Sequence, residues 1–310
     1  IVVDLSGDGY SDEMGAIATI LHSLYLFPAI ILRKKVYVCA QSIGPFYSWY
    51  TKAIAKWTLN RVDILTAREH ITKKYLDSML RRKTILTGDC AFLMDSKQSE
   101  KVDSIIKKNG LEYKKIIGIS VSKRMSRWAL PDISMKDKYN KIIEIIADFI
   151  DNQTVKKDIY IMLVPHVMGP PGKVDDRVVQ RDVYKKVKNK RKVILIEEEL
   201  MPDEMKELIG YSYVFIGARM HSLIAAISMG IPVIALGYSH KYIGLIGEVM
   251  DNFVIDLRKV ESKKMLYMLI KKLKILNMEN DFYCNKIACS ISRLKVNAMK
   301  NIDFMANWIN

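Results

Sequence analysis

Arg219 and His221 stand two residues apart in the run Gly217-Ala218-Arg219-Met220-His221, where the strand-like stretch 214–216 gives way to an apolar, helix-like one. A guanidinium can grip a carboxylate or phosphate in two places, and an imidazole moves protons near neutral pH. The start of a helix adds unsatisfied N–H groups and a partial positive charge, which favour an anion. Ala225, Ala226 and Gly230 allow close packing of that helix on a sheet, Pro232 opens the next strand-like run at 233–236, and Lys241 follows its end. The same residues would also serve to cap and brace a turn. Their place after a strand, with a second cation one strand later, is where α/β proteins build clefts, and this favours a site.

Other polar groups also follow strand-like runs. Gln41-Ser42-Ile43-Gly44-Pro45-Phe46 comes after 36–40, and its Gly-Pro pair forces a turn that exposes Gln41 and Ser42 to a sugar or phosphate, or simply makes a polar turn. Arg68, in Thr66-Ala67-Arg68-Glu69, either faces a cleft or pairs with Glu69. Asp89, after Gly88, either caps a helix or binds a sugar hydroxyl. Gly7-Asp8-Gly9 lets a ligand approach the backbone at Gly7, but its spacing is not a dinucleotide fingerprint. His166 follows the strand-like run 159–164 and precedes Gly169-Pro170-Pro171-Gly172 and the Asp175-Asp176 pair; it is either a second cleft histidine or a loop histidine with no task. His22 and His70 read as structural.

The elements that must hold these residues alternate. Strand-like runs at 1–6, 36–40, 64–67 and 84–86 are separated by helical patterns at 12–27, 49–60 and 71–80. A polar, lysine-rich stretch at 98–115 reads as a linker. The alternation then resumes with strands at 116–121, 159–164, 193–196, 214–216, 233–236 and 253–255, and with a helix at 137–151 whose buried face carries Ile142, Ile143, Ile145, Ile146 and Phe149. This order predicts an α/β fold of two doubly wound, Rossmann-like domains, at 1–97 and 116–280. The final helix, 281–310, has an apolar stripe of Ile287, Ile291, Leu294, Ala298 and Ile302 and is expected to pack back on the first domain. A length of 310 residues agrees with two cores. The chain opens on Ile1 inside an apolar run, so a natural start that includes a βα unit is expected to be missing.

The formal charge of +15, concentrated at 181–192 and 258–274, fits solvated helix faces or contact with an anionic partner such as an acidic glycan or membrane surface. No zinc-finger or RNP-type motif accompanies it, so no nucleic-acid partner is expected. The four cysteines, Cys39, Cys90, Cys284 and Cys289, lack metal spacing; Cys39 and Cys90 lie in apolar strand-like runs and read as reduced thiols of a cytoplasmic protein. The most hydrophobic stretch, 16–32, contains Thr19, His22, Ser23 and Pro28 and reads as a packed helix followed by a loop rather than a membrane span.

Taken together, Gln41-Ser42-Ile43-Gly44-Pro45, Ala67-Arg68-Glu69, Gly88-Asp89 and Gly217-Ala218-Arg219-Met220-His221, followed by Gly230-Ile231-Pro232-Val233, Tyr238 and Lys241, resemble the polysaccharide pyruvyltransferase family over residues 1–260. The resemblance implies a GT-B-type two-domain fold with its active site in a cleft between the domains. It implies transfer of the enolpyruvyl carbons of phosphoenolpyruvate onto two hydroxyls of one sugar of a cell-surface polysaccharide or its precursor, as a ketal. Arg219 and Lys241 would hold the donor, His221 would protonate its methylene carbon, and His166 would serve as base for the acceptor. Gln41, Ser42, Arg68, Asp89 and Gly7 would complete substrate binding. No cofactor and no metal are expected. A lipid-linked acceptor would give the basic faces a role as a peripheral contact with the inner face of the membrane. The alternatives are a nucleotide-sugar-dependent GT-B glycosyltransferase and a non-catalytic glycan- or membrane-binding protein that kept the fold.

Overall fold

The computed structural model of the chain describes residues 1–169 and 174–309; Pro170, Pro171, Gly172 and Lys173, most of the Gly-Pro turn read after His166, lie outside them. The chain divides into two compact units, Ile1–Leu93 with Ser292–Asn310, and Met94–Ile291.

The first unit shows how strand alternation assigns faces. Its four parallel strands, β1 (Val2–Asp4), β2 (Val36–Gln41), β3 (Ile64–Ala67) and β4 (Ile85–Leu86), lie side by side in chain order. Right-handed crossovers between strands that advance in one direction put the connecting helices on one face. These are α1 (Ala16–Ile31), α2 (Trp49–Leu59) and α3 (His70–Met79). Val36, Val38 and Leu65 pack with Leu26, Ala29, Ala55, Leu59, Leu76 and Met79 of those helices. Tyr37 and Cys39 point the other way, as a period of two requires, and meet Met305 and Trp308. Those two belong to the last helix, α11 (Asn280–Ile309), whose residues from Ser292 onward are part of this unit. Both faces of the sheet are thus covered, one by local helices and one by the far end of the chain.

Two residues fix that distant contact. A Cβ on Gly88 would lie 2.9 Å from the backbone nitrogen of Ala298, so only glycine lets α11 come this close. Asn301, 2% exposed, donates to Gly88 O at 2.9 Å and accepts from Tyr37 Oη and Thr66 Oγ1, each at 3.1 Å. Those bonds satisfy both ends of a buried amide.

The second unit carries six parallel strands: β5 (Lys115–Ser120), β6 (Ile159–Leu163), β7 (Val193–Leu195), β8 (Val214–Gly217), β9 (Val233–Gly237) and β10 (Val254–Asp256). Their order is β10-β9-β8-β5-β6-β7. The chain moves outward from β5 to β7, then returns to the other side of β5 and moves outward again. The order therefore reverses between β5 and β8, the place where open α/β sheets bind ligands. The helices are α4 (Glu100–Lys108), α5 (Lys138–Thr154), α6 (Asp176–Lys186), α7 (Pro202–Gly210), α8 (Met220–Ser228), α9 (His240–Leu245) and α10 (Ser262–Met278).

Three local expectations differ from the structure. The stretch expected as a linker at 98–115 contains α4, which packs against α7 within the second unit. Ser99 caps it by accepting from Lys101 N, acidic Glu100 and Asp103 open it, Lys107 and Lys108 close it, and Val102, Ile105 and Ile106 are buried. Only three apolar residues at helical spacing do the packing, so a lysine-rich surface hid the helix. α1 continues through Pro28 to Ile31. Cys90 lies in a 3₁₀ turn, Cys90–Leu93, and is exposed, whereas Cys39 is buried in β2. Among the described residues no helix is long and apolar enough to cross a membrane.

Candidate functional site

At the carboxyl end of β8, Ala218 N donates to Ser120 O at 2.8 Å, extending the pairing with β5 beyond the strand. Arg219 then caps α8 with extended backbone, φ −109° and ψ 127°. His221, in the first turn of α8, is exposed. Tyr242 of α9 donates its hydroxyl to Ala218 O at 2.7 Å and so braces the turn that carries both residues. Lys241, also in the first turn of α9, is half-buried after β9.

His166 comes from the loop after β6, and its ring centroid is 6.4 Å from that of His221, with the planes 31° apart. Burial, and then the nearby charges of His221 and Arg219, push the His166 imidazole down to about 3. It is therefore neutral near pH 7 and can accept a proton but has none to spare. Its Nδ1 is buried and makes no hydrogen bond among the described residues. Two hydroxyls at strand ends, Ser120 Oγ and Ser239 Oγ, are likewise buried without a partner there. Buried polar atoms of this kind call for a water or a ligand.

Arg219 is held from one side. Asp176, 1% exposed, accepts from Arg219 Nη2 at 2.7 Å and from Nε at 3.0 Å, and Val174 O accepts from Nη2 at 3.4 Å. Burial works against the Arg219 charge, but the hydrogen bonds and charge of Asp176 outweigh it and raise the guanidinium pKa above its ordinary value. Nη1 takes no hydrogen bond among the described residues and remains available to an anion. A small recess against Arg219 is also lined by Lys123, Arg124, Val174, Asp175 and Val178. Three cations thus surround a space with one carboxylate, an arrangement that favours a small anion. On a neighbouring strand end, Tyr238 stacks on Trp128 at 5.5 Å.

Of the residues singled out from the sequence, the structure brings Arg219, His221 and His166 together at the switch point, with Lys241 one strand away. Asp176, Lys123 and Arg124 were missed. Lys123 and Arg124 follow β5 just as the other motifs follow their strands, so their position was the available signal. Asp176 gave none, because its partner is 43 residues away in sequence.

The remaining singled-out residues gather in the first unit. Arg68 pairs with Asp89 at 2.9 Å and donates to Ser42 Oγ at 2.7 Å. Glu69 instead caps α3 by accepting from Thr72 N. Asp89 also accepts from Ala91 N at 3.0 Å. A Cβ on Gly7 would lie 3.7 Å from Arg68 Nη1, and Gly7 O accepts from Ser42 N at 2.8 Å. Gln41 is fully buried; its Nε2 donates to Asp4 O at 3.4 Å, and its Oε1 has no hydrogen-bond partner among the described residues. No group of three or more His, Cys, Asp and Glu side chains among the described residues is placed to hold a metal ion.

The chain is 24% identical to the amylovoran biosynthesis protein AmsJ of Erwinia amylovora over 80% of its own length and 59% of the relative's. It therefore spans less than two thirds of that curated relative. Among solved structures, Anabaena Alr3699/HepE in complex with UDP-glucose superposes with a TM-score of 0.57 at 10% identity, covering 95% of this chain and 76% of that one. UDP-GlcNAc 2-epimerase of Neisseria meningitidis, bound to UDP-GlcNAc, gives a TM-score of 0.52 at 17% identity, covering 94% and 73%. These establish a shared fold of two Rossmann-like domains, the GT-B-like class. Residues 4–240, which include both the first-unit cluster and the Arg219–His221 turn, match the family described as polysaccharide pyruvyl transferase, and the chain belongs to that family.

Proposed function

We propose that this protein transfers pyruvate from phosphoenolpyruvate onto a sugar of a polysaccharide or its precursor, as a ketal. The observation that carries the reading is the meeting of Arg219, His221 and a neutral His166 at the switch point of the second sheet. Phosphoenolpyruvate brings a carboxylate and a phosphate. Arg219, with Lys123 and Arg124 at the same recess and Lys241 after the next strand, would hold them.

In this reading His221 delivers a proton to the donor's methylene carbon. The C=C electrons form the new C–H bond, and the adjacent carbon becomes electrophilic and oxocarbenium-like. One acceptor hydroxyl attacks it while His166, kept neutral, takes that hydroxyl's proton. The C–O bond to phosphate then breaks, the proton held by His166 leaving with the phosphate, and the second hydroxyl closes the ketal as its proton returns to His221. The depressed pKa keeps His166 neutral but makes it a weaker base than one poised near pH 7, so the role needs the donor's negative charge to raise its proton affinity. In the first unit, Gln41, Ser42, Arg68, Asp89 and Gly7 are proposed to bind substrate. Among these, Gln41 Oε1 is a buried atom still lacking a partner.

The test is mass spectrometry of candidate oligosaccharides incubated with phosphoenolpyruvate and the protein. A product heavier by one pyruvate ketal, with phosphate released, is expected; phosphate release with no ketalised sugar would refute the reading. Two structural relatives were solved with UDP-sugars, which favours nucleotide-sugar glycosyl transfer as the second reading. Thermal shift separates them: stabilisation by phosphoenolpyruvate supports the first, and stabilisation only by nucleotide sugars supports the second. A lipid-linked acceptor and contact of the basic segments 181–192 and 258–274 with anionic membrane are further proposals. Sedimentation with anionic rather than neutral vesicles would support the contact, and equal partition would refute it.

A further inference from the structure

Asp176 is absent from the acid–base chemistry above, yet three parts of the candidate site meet on its carboxylate. Oδ1 and Oδ2 take the Nη2 and Nε protons of Arg219 at 2.7 and 3.0 Å. Oδ2 also accepts from the backbone N of Val167 at 3.0 Å, next in the chain to His166. Asp176 N returns a bond to Val167 O at 2.8 Å. One residue at the start of α6 therefore ties the loop after β6 to the side chain after β8. At 1% exposure it is shielded from water, which strengthens these charge-assisted bonds.

We infer that Asp176 is a positioning residue: it fixes the Arg219 guanidinium so that Nη1 is presented to the donor anion, and it sets His166 at its distance from His221. A guanidinium has five N–H groups in a rigid fork. With Nε and Nη2 engaged by Asp176 and Val174 O, rotation about the last side-chain bonds is blocked, and the end that faces away is fixed. A carboxylate in this position could act in the opposite way, as an occupant that the donor's own carboxylate must displace. The two roles predict opposite signs on removal of its charge.

This inference rests on the donor assignment proposed above, and the experiment separates the two. Binding of phosphoenolpyruvate is measured by calorimetry for the wild-type chain, Asp176→Asn and Asp176→Glu, with kcat and KM on a ketal acceptor. Asp176→Asn keeps the shape and one acceptor oxygen, but loses the charge and one arm of the bidentate pair. It should weaken donor binding about tenfold, equivalent to about 1.4 kcal/mol, and lower kcat as well, because the side-chain tie to Val167 is weakened and only the backbone bond still holds the His166 loop at full strength. Asp176→Glu should recover part of the binding, because a carboxylate is restored. The inference is overturned if Asp176→Asn binds phosphoenolpyruvate as tightly as or more tightly than the wild type, even if its melting temperature falls. It is also overturned if Asp176→Glu recovers nothing although it is folded. Failure of the wild-type chain itself to bind phosphoenolpyruvate would sink the donor assignment, and this inference with it.

Discussion

The two units each hold an arginine against a buried aspartate, and the two pairs are used differently. In the first, Arg68 is enclosed by Asp89 and Ser42 and is 7% exposed. Asp89 is shared with the backbone of its own turn. In the second, Asp176 takes one edge of Arg219, which also lines a recess with Lys123 and Arg124 and lies close enough to His166 to act on its charge. The first pair joins the ends of β2, β3 and β4 and is enclosed, its side chains 4% and 7% exposed, although Arg68 Nη2 makes no hydrogen bond among the described residues. The second is satisfied on one side only, and buried atoms without partners lie around it. A buried ion pair is therefore no guide to function by itself: the Arg68 pair ties strand ends together whether or not it also meets substrate, whereas the Arg219 pair lies among reactive histidines.

The sharpest way to break this contrast is to remove each arginine or its reacting neighbour in turn. Arg68→Ala strands Asp89 as a buried charge and should cost about 3–5 kcal/mol of stability, read as a fall in the denaturant midpoint. A variant as stable as wild type would mean that the first pair is not structural. His221→Ala comes next. Turnover should fall by about two orders of magnitude or more, the usual scale for a lost general acid, while donor binding by calorimetry stays largely intact. Unchanged turnover would remove His221 from the chemistry.

Gly88→Ala should cost about 1–3 kcal/mol through overpacking, because its Cβ would meet the backbone of α11 at 2.9 Å. Thermal unfolding reads this directly, and a neutral result would show that α11 can shift without penalty. The last effect, smallest near neutrality, concerns pH. His166 titrates near 3 when folded and near its ordinary value of about 6.5 when unfolded. Between these values the unfolded chain binds a proton that the folded chain does not. Its contribution to stability is thus complete above about pH 6.5 and is lost as pH falls toward 3, by at most about 1.4 kcal/mol per pH unit. His166→Gln should flatten that slope in urea titrations at successive pH values; an unchanged slope would place the histidine in contact with water.

The α/β alternation, the parallel sheets and the Arg219–His221 turn were legible because they depend on local order. Apolar runs five or so residues long, each followed by a turn and a helical pattern, leave few other packings. The family motifs lie at strand ends for the same reason. The linker expected at 98–115 failed because α4 buries only Val102, Ile105 and Ile106 beneath a lysine-rich surface. The alternatives for Arg68 were likewise open: Glu69 is adjacent in sequence, but Asp89, 21 residues away, is its partner in space.

By itself, the sequence determined most of the strands and helices, α4 excepted, that the sheets are parallel, and which polar residues stand at strand ends. Periodicity and turn chemistry act over a few residues and are written in the chain. Only the tertiary structure decided that Asp176 reaches Arg219, that His166 sits 6.4 Å from His221 and stays neutral, and that Asn301 of α11 bonds Gly88, Tyr37 and Thr66. Those outcomes depend on burial and on contacts between residues far apart in sequence, which local pattern cannot encode.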